Sequence, residues 1–222
     1  MLWVGQFNLV QGEAREDGPW AGIFPHQQKA DIEASDLYLV IEAAAGGSED
    51  YFLQLRDIMG EMFQHTKLSV TGGLLRALQT ANRQLRDWNR RSFSEQRLGA
   101  GASLLALKDS EAYLAQVGPS IVYCFSGGKL SRIEPDIPEA IPALGAGDDF
   151  WPSFRRLLLA EGDTVLLASS NLAGNSVDMG IAEALAGPPE ECLPRLFREA
   201  SHLQDCAALL LASRAPEKDD EA

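Results

Sequence analysis

The chain has 222 residues, of which 45% are hydrophobic and 23% charged, and its formal net charge is −13. That length and composition describe an ordinary globular protein of one large or two small domains, and the sequence favours one. The excess of acid excludes the overall electrostatic footprint of a protein that binds nucleic acid or an anionic membrane surface.

Cysteines at 124, 192 and 206 are odd in number and lack Cys-x-x-Cys spacing, and the histidines are limited to 26, 65 and 202. Neither a disulfide framework nor a zinc site is supported. No leader precedes Leu2 and no apolar stretch is long enough to span a membrane, so the simplest expectation is a cytoplasmic protein. The stretch Pro216-Glu-Lys-Asp-Asp-Glu-Ala222 carries four acids and one lysine and reads as a solvated tail or the start of a linker. A single folded domain over 1–213, followed by an acidic tail over 214–222, is the expected organisation.

In chain order, Leu2 to Val10 reads as a first strand. From Gln11 to Ala34, glycines, prolines and scattered charge show no period, which predicts a loop. Leu37-Tyr-Leu-Val-Ile41 is a buried strand running into Glu42-Ala-Ala-Ala-Gly46-Gly47. Phe52, Leu55, Met59 and Met62 recur at helical spacing, as do Leu74, Leu78, Ala81, Leu85 and Trp88, and these apolar faces read as core. The second helix is expected to start after Ser69 or Thr71 and to end near Arg91. Arg83, Arg86, Arg90 and Arg91 form the one basic cluster. Its ordinary reading is a solvated helix face, and its sharper one a docking surface for an acidic partner.

Ala102 to Lys108 and Glu111 to Val117 are apolar runs joined by Asp109-Ser110, a hairpin signal. Ile121 to Phe125 follows Gly118-Pro119-Ser120, and Gly127-Gly128 turns the chain into Lys129 to Ile133. The expectation is an antiparallel meander of about four strands with both faces covered, since nearly every position is apolar. Pro135 to Asp149 is a loop. Strands are expected at Arg155 to Ala160 and Thr164 to Ser169. Asp178 is placed as the N-cap of a short helix, Glu190 to Leu203 forms a second, and Asp205 to Ala212 closes the chain as an apolar strand.

Gly101-Ala-Ser-Leu-Leu-Ala-Leu, Ala112-Tyr-Leu-Ala-Gln-Val-Gly-Pro-Ser120 and Ser126-Gly-Gly-Lys-Leu130 resemble the central hairpins of the metal-dependent protein serine/threonine phosphatases of type 2C, the PPM family. The flanks agree in order: a strand before paired glycines, two helices, a Gly-Asp turn feeding a strand, and an aspartate before the last strand. The resemblance covers roughly Asp36 to Ala212. It implies an α+β fold, a four-layer α/β/β/α sandwich of two antiparallel sheets flanked by helices.

The resemblance also exposes departures. Aligning Gly46-Gly47 puts Ala43 where the family has its metal-bridging aspartate. Glu42 is adjacent, but strand alternation aims it at the opposite face. Ser169-Ser170-Asn171-Leu172-Ala173-Gly174 stands for the family's Ser-Asp-Gly-Leu-Thr-Asp, leaving Ser170 and Gly174 at two further ligand positions. Asp205 is retained, with Cys206 in place of an asparagine. Arg15, in Gly12-Glu-Ala-Arg15-Glu-Asp17, is a shortened echo of the family's phosphate-holding arginine. If manganese or magnesium were still bound, Asp17, Glu42, Glu49 or Asp50 would have to substitute, because such hard cations need several oxygen ligands.

The leading expectation is therefore a catalytically inactive pseudophosphatase without a cofactor. It would act as a binding or regulatory module in phospho-signalling, with a phosphoprotein or kinase as partner and neither nucleic acid nor membrane. The alternatives are a divergent but active metal-dependent serine/threonine phosphatase and a structural module of a longer protein.

Overall fold

The computed structural model describes residues 1–26, 35–93, 96–133, 143–148, 150–173 and 177–214. Among them, strands β1 (Leu2–Val10), β2 (Glu13–Arg15), β7 (Ser120–Ser126), β8 (Lys129–Ile133), β10 (Thr164–Ser169) and β11 (Cys206–Ser213) form one sheet in the order β2-β1-β11-β10-β7-β8. Strands β3 (Ala21–Phe24), β4 (Asp36–Ala45), β5 (Gly99–Lys108), β6 (Glu111–Val117) and β9 (Ser153–Leu158) form the other in the order β3-β4-β5-β6-β9. Every pairing in both sheets is antiparallel.

Helices α1 (Glu49–Gln64) and α2 (Val70–Asn89) lie against the five-stranded sheet, and α3 (Val177–Leu185) and α4 (Pro189–Ala200) against the six-stranded one. This is the expected α/β/β/α sandwich. Continuous apolar strands are its direct consequence, because each face of each sheet is covered. In β10, Val165 and Leu167 join the larger core, while Leu166 and Ala168 join the core beneath α3 and α4. In β11, Ala207, Leu209 and Leu211 alternate in the same way with Cys206, Ala208 and Leu210.

The helices form as their spacing dictates. On α1, Phe52, Leu55 and Met59 are buried, but Phe63 takes the place expected for Met62, which is half-buried; on α2, Leu74, Leu78, Ala81 and Leu85 are buried and Trp88 is half-buried against the core. Ser69 caps α2, its hydroxyl accepting the Gly72 N–H at 3.3 Å.

Three expectations need correction. The four central strands are not one meander: β5 and β6 belong to one sheet and β7 and β8 to the other. Gly118-Pro119-Ser120 is a crossover between layers. Gly118 takes φ +67°, and a Cβ on Gly101 would stand 2.6 Å from Pro119 Cδ, so close passage of the chain requires glycine at both positions. The Ser103 and Ser120 hydroxyls meet at 2.7 Å across the gap. Secondly, the predicted loop after Gln11 contains β2 and β3, which are too short to display a period. Thirdly, α3 begins at Val177, so Asp178 falls inside its first turn and does not precede it. The acidic stretch after Pro216 lies outside the described residues.

Candidate functional site

A cavity of about 230 Å³ opens at one end of the sandwich, lined by Trp20, Glu42, Ala43, Ser169, Ser170, Asn171 and Asp205. Three chain segments converge there. β4 ends in Glu42 and Ala43, β10 ends in Ser169 and passes into a 3-10 turn over Ser170–Leu172, and Asp205 stands immediately before β11.

Glu42 is the residue whose placement alternation alone did not anticipate. It is in register with Gly101, whose own face abuts Pro119 at the crossover, so Glu42 points between the sheets and reaches β10. Ser170 Oγ donates to Glu42 Oε1 at 2.6 Å, and the Ser170 N–H donates to the second carboxylate oxygen. Burial raises the Glu42 carboxyl to about 7, with the two Ser170 hydrogen bonds pulling the other way. Ala43, beside a bulge between Ala43 and Ala45, borders the same cavity from the strand end.

Asp205 is occupied with the backbone. Its Oδ1 accepts the Gln11 N–H at 3.1 Å, its carbonyl accepts Asn171 Nδ2 at 2.7 Å, and the Gly12 N–H donates to the neighbouring Gln204 carbonyl at 2.7 Å. Gln11 takes φ +54°, a left-handed turn conformation that these bonds hold. Ser169 Oγ accepts the Ala207 N–H at 2.9 Å. Burial pushes the Cys206 thiol up to about 12, which leaves it an inert core group. Trp20 packs on Phe52 with ring centroids 5.1 Å apart, and its indole Nε1 is buried without a hydrogen-bond partner.

The other candidate residues stand elsewhere. Arg15 makes a two-pronged ion pair with Glu49, 3.1 Å to each carboxylate oxygen. Asp17 pairs with Arg56 at 2.7 Å, and Asp50 is exposed on the first turn of α1. None of Arg15, Asp17, Glu49 and Asp50 lines the cavity. Gly174 lies outside the described residues. Sequence reasoning missed Trp20, Ser169 and Asn171; the last two stand beside a position it had singled out, whereas nothing local marks Trp20.

No family model and no curated protein matches this chain. Solved structures do. The serine/threonine phosphatase Stp1 from Staphylococcus aureus is similar at a TM-score of 0.78 and 17% identity, covering 97% of this chain and 96% of that one. PppA, a key regulatory component of T6SS in Pseudomonas aeruginosa, is similar at 0.70 and 17%, covering 95% and 97%. The catalytic domain of the serine/threonine protein phosphatase PstP, in complex with two manganese ions, is similar at 0.72 and 15%, covering 96% and 99%.

The fold is that of the type 2C phosphatases.

Within that type 2C fold, Ala43, Ser170 and Asp205, the positions that the resemblance assigns to metal ligands, border one cavity. The donor set does not suit a pair of divalent cations. Two carboxylates face the cavity, one partly buried and bonded to Ser170, the other bonded to Gln11. Among the described residues no three His, Cys, Asp or Glu side chains converge as a metal group would require. No helix among the described residues is long and apolar enough to cross a membrane.

Proposed function

We propose that this chain is a catalytically inactive type 2C phosphatase-like domain, spanning 1–213, which works as a binding or regulatory module in phospho-signalling through a protein partner. The observation that carries this reading is the state of the cavity's carboxylates. A two-metal phosphatase needs a cluster of charged oxygens free to hold cations, which activate water and neutralise the transferring phosphoryl group. Here Ala43 and Ser170 contribute no carboxylate, and Glu42 and Asp205 each hold an internal donor. Several carboxylates crowded together without metal would repel one another and raise each other's pKa, so Ala and Ser at two of the positions remove a source of strain.

A second reading, a divergent manganese- or magnesium-dependent phosphatase, draws on one observation: Glu42 faces the cavity that Asp205 borders. Hydrolysis of an aryl phosphate and of a phosphoserine peptide separates the two. The proposed module gives no turnover that rises with manganese or magnesium and vanishes with chelator, and its melting temperature is the same with millimolar manganese as with chelator. Metal-dependent turnover would overturn this reading in favour of the second.

A further inference from the structure

We propose that the groove along the C-terminal half of α2 is a docking site for a glutamate- or aspartate-rich segment of a partner protein. The inference goes beyond the state of the end cavity and does not depend on it.

The starting point is charge. In a chain of net charge −13, five of the 19 lysines and arginines fall between Arg83 and Arg97. The structure sets four of them along one depression. A cavity of about 430 Å³ bordered by Arg83, Arg86, Phe150 and Trp151 shares Arg86 and Asp148 with a second of about 460 Å³ bordered by Arg90 and Arg97. Together they make one elongated groove between α2 and the segment 143–148.

Its far wall is held in place by two buried or half-buried asparagines of α2. Asn82 Oδ1 accepts the Gly145 N–H at 2.7 Å, and its Nδ2 donates to the Gly147 carbonyl at 3.2 Å. Asn89 Nδ2 donates to the Leu98 carbonyl at 2.8 Å, while the Leu98 N–H returns to Asn89 Oδ1 at 2.7 Å. A fixed groove lowers the ordering cost of binding.

The arginines differ in how they are engaged. Arg86 is paired with Asp148, and Arg90, among the described residues, pairs with Asp87 of its own helix at 3.3 Å. Arg83 and Arg97, at the two ends, have no partner among the described residues. Two unpaired guanidinium groups are ready for bidentate bonds to carboxylates. Trp151, 66% exposed beside Arg83, supplies an aromatic anchor of the kind enriched at protein interfaces.

Size and charge select the occupant. Arg83 and Arg90 are separated by about 10 Å of helix, the reach of roughly three residues of extended peptide. A small anion would fill one end only. A long polyanion would run off the basic strip onto an acidic protein, whereas charges beyond about 8 Å are screened from a short segment at physiological salt.

The test uses the full chain and a short fluorescein-labelled peptide of alternating glutamate and serine, followed by anisotropy. The parent should bind, more weakly as salt rises, and Arg83→Glu with Arg97→Glu should weaken binding by about tenfold or more. Trp151→Ala should weaken it by about threefold, and Lys129→Glu on β8 should leave it unchanged. Unaltered melting of each variant shows that the fold is intact. Absence of binding by the parent, or equal binding by the double arginine variant, overturns the proposal. So does preferential binding of a phosphoserine version or of oligothymidylate, each of which would name a different occupant. Phosphatase assays on the same samples report separately on the end cavity, so either reading can fail while the other stands.

Discussion

The end cavity and the α2 groove are both concave and polar, yet their polar groups are engaged differently. In the cavity, Glu42 holds Ser170, Asp205 holds Gln11, and Ser169 holds Ala207. A ligand arriving there meets groups that the fold already bonds. In the groove, Arg83 and Arg97 have no partner to lose among the described residues. The comparison teaches that two concave polar sites on one chain can differ in whether the fold already engages their charged groups. The useful indicator is which charged groups remain unsatisfied, since a buried or engaged polar group is costly to recruit.

The contrast is broken most strongly by forcing charge into the cavity. Ala43→Asp with Ser170→Asp removes the hydroxyl donor that holds Glu42 and sets like charges beside it. Without metal this should cost on the order of 3 kcal/mol, read as a melting temperature roughly 6–12 °C lower. Manganese should recover part of that loss and give a calorimetric binding signal that the parent lacks. A variant as stable as the parent that binds no metal would mean that the three positions do not seat carboxylates together.

Glu42→Gln sharpens the comparison by removing the charge while keeping an acceptor for one of the two Ser170 donors; its amide NH2 cannot accept the other. The sign follows from linkage. The folded state holds the Glu42 proton up to about 7, well above the ordinary carboxyl value of 4.5. The native protein therefore binds more protons between these values, and stability falls as pH rises through that window. Between pH 4 and pH 8 the parent should lose on the order of 2–3 kcal/mol of stability that the glutamine variant does not lose. Urea unfolding across the range measures this, and parallel curves would refute it.

A smaller change probes Asp205. Asp205→Ala removes the acceptor of the Gln11 N–H from an exposed turn and should cost about 1 kcal/mol. Faster amide exchange at Gln11 and Gly12, with the rest of β1 unchanged, would locate the effect. Slower or unaltered exchange at Gln11 would show that the turn does not rely on this carboxylate.

Much of the fold was legible because the strands that build it are long and apolar. β4, β5, β10 and β11 announce themselves by composition, and two covered faces per sheet explain why they do not alternate. What the sequence hid is instructive. Gly118-Pro119-Ser120 has the residues of a hairpin turn, and only the contacts of Gly101 and Ser103 with the other layer reveal a crossover. β2 is entirely exposed and three residues long, too short for a period. At the site, Ala43, Ser170 and Asp205 were singled out through the resemblance and border one cavity, and Glu42, which alternation set on the opposite face, borders it too. Alternation holds along β4, but the cavity lies off the strand end, where residues of both faces can border it. Arg15 and Asp17 were drawn from the resemblance, and their partners in the structure, Glu49 and Arg56, are 34 and 39 residues away.

The pairing of β1 with β11 has a consequence for how the protein comes into being. Leu2 lies opposite Ser213, and the Met1 amino group donates to the Arg214 carbonyl at 2.8 Å, so the first strand is completed by the last. Before β11 exists, β1 has only the short β2 beside it in its sheet. During synthesis the five-stranded layer with α1 and α2 has all its strands well before the six-stranded layer does, and β1 stays an open apolar edge until the final strand arrives. Closing that loop late is an entropic barrier that slows folding, and it makes the newborn chain most prone to aggregate in the interval before Cys206–Ser213 inserts between β1 and β10.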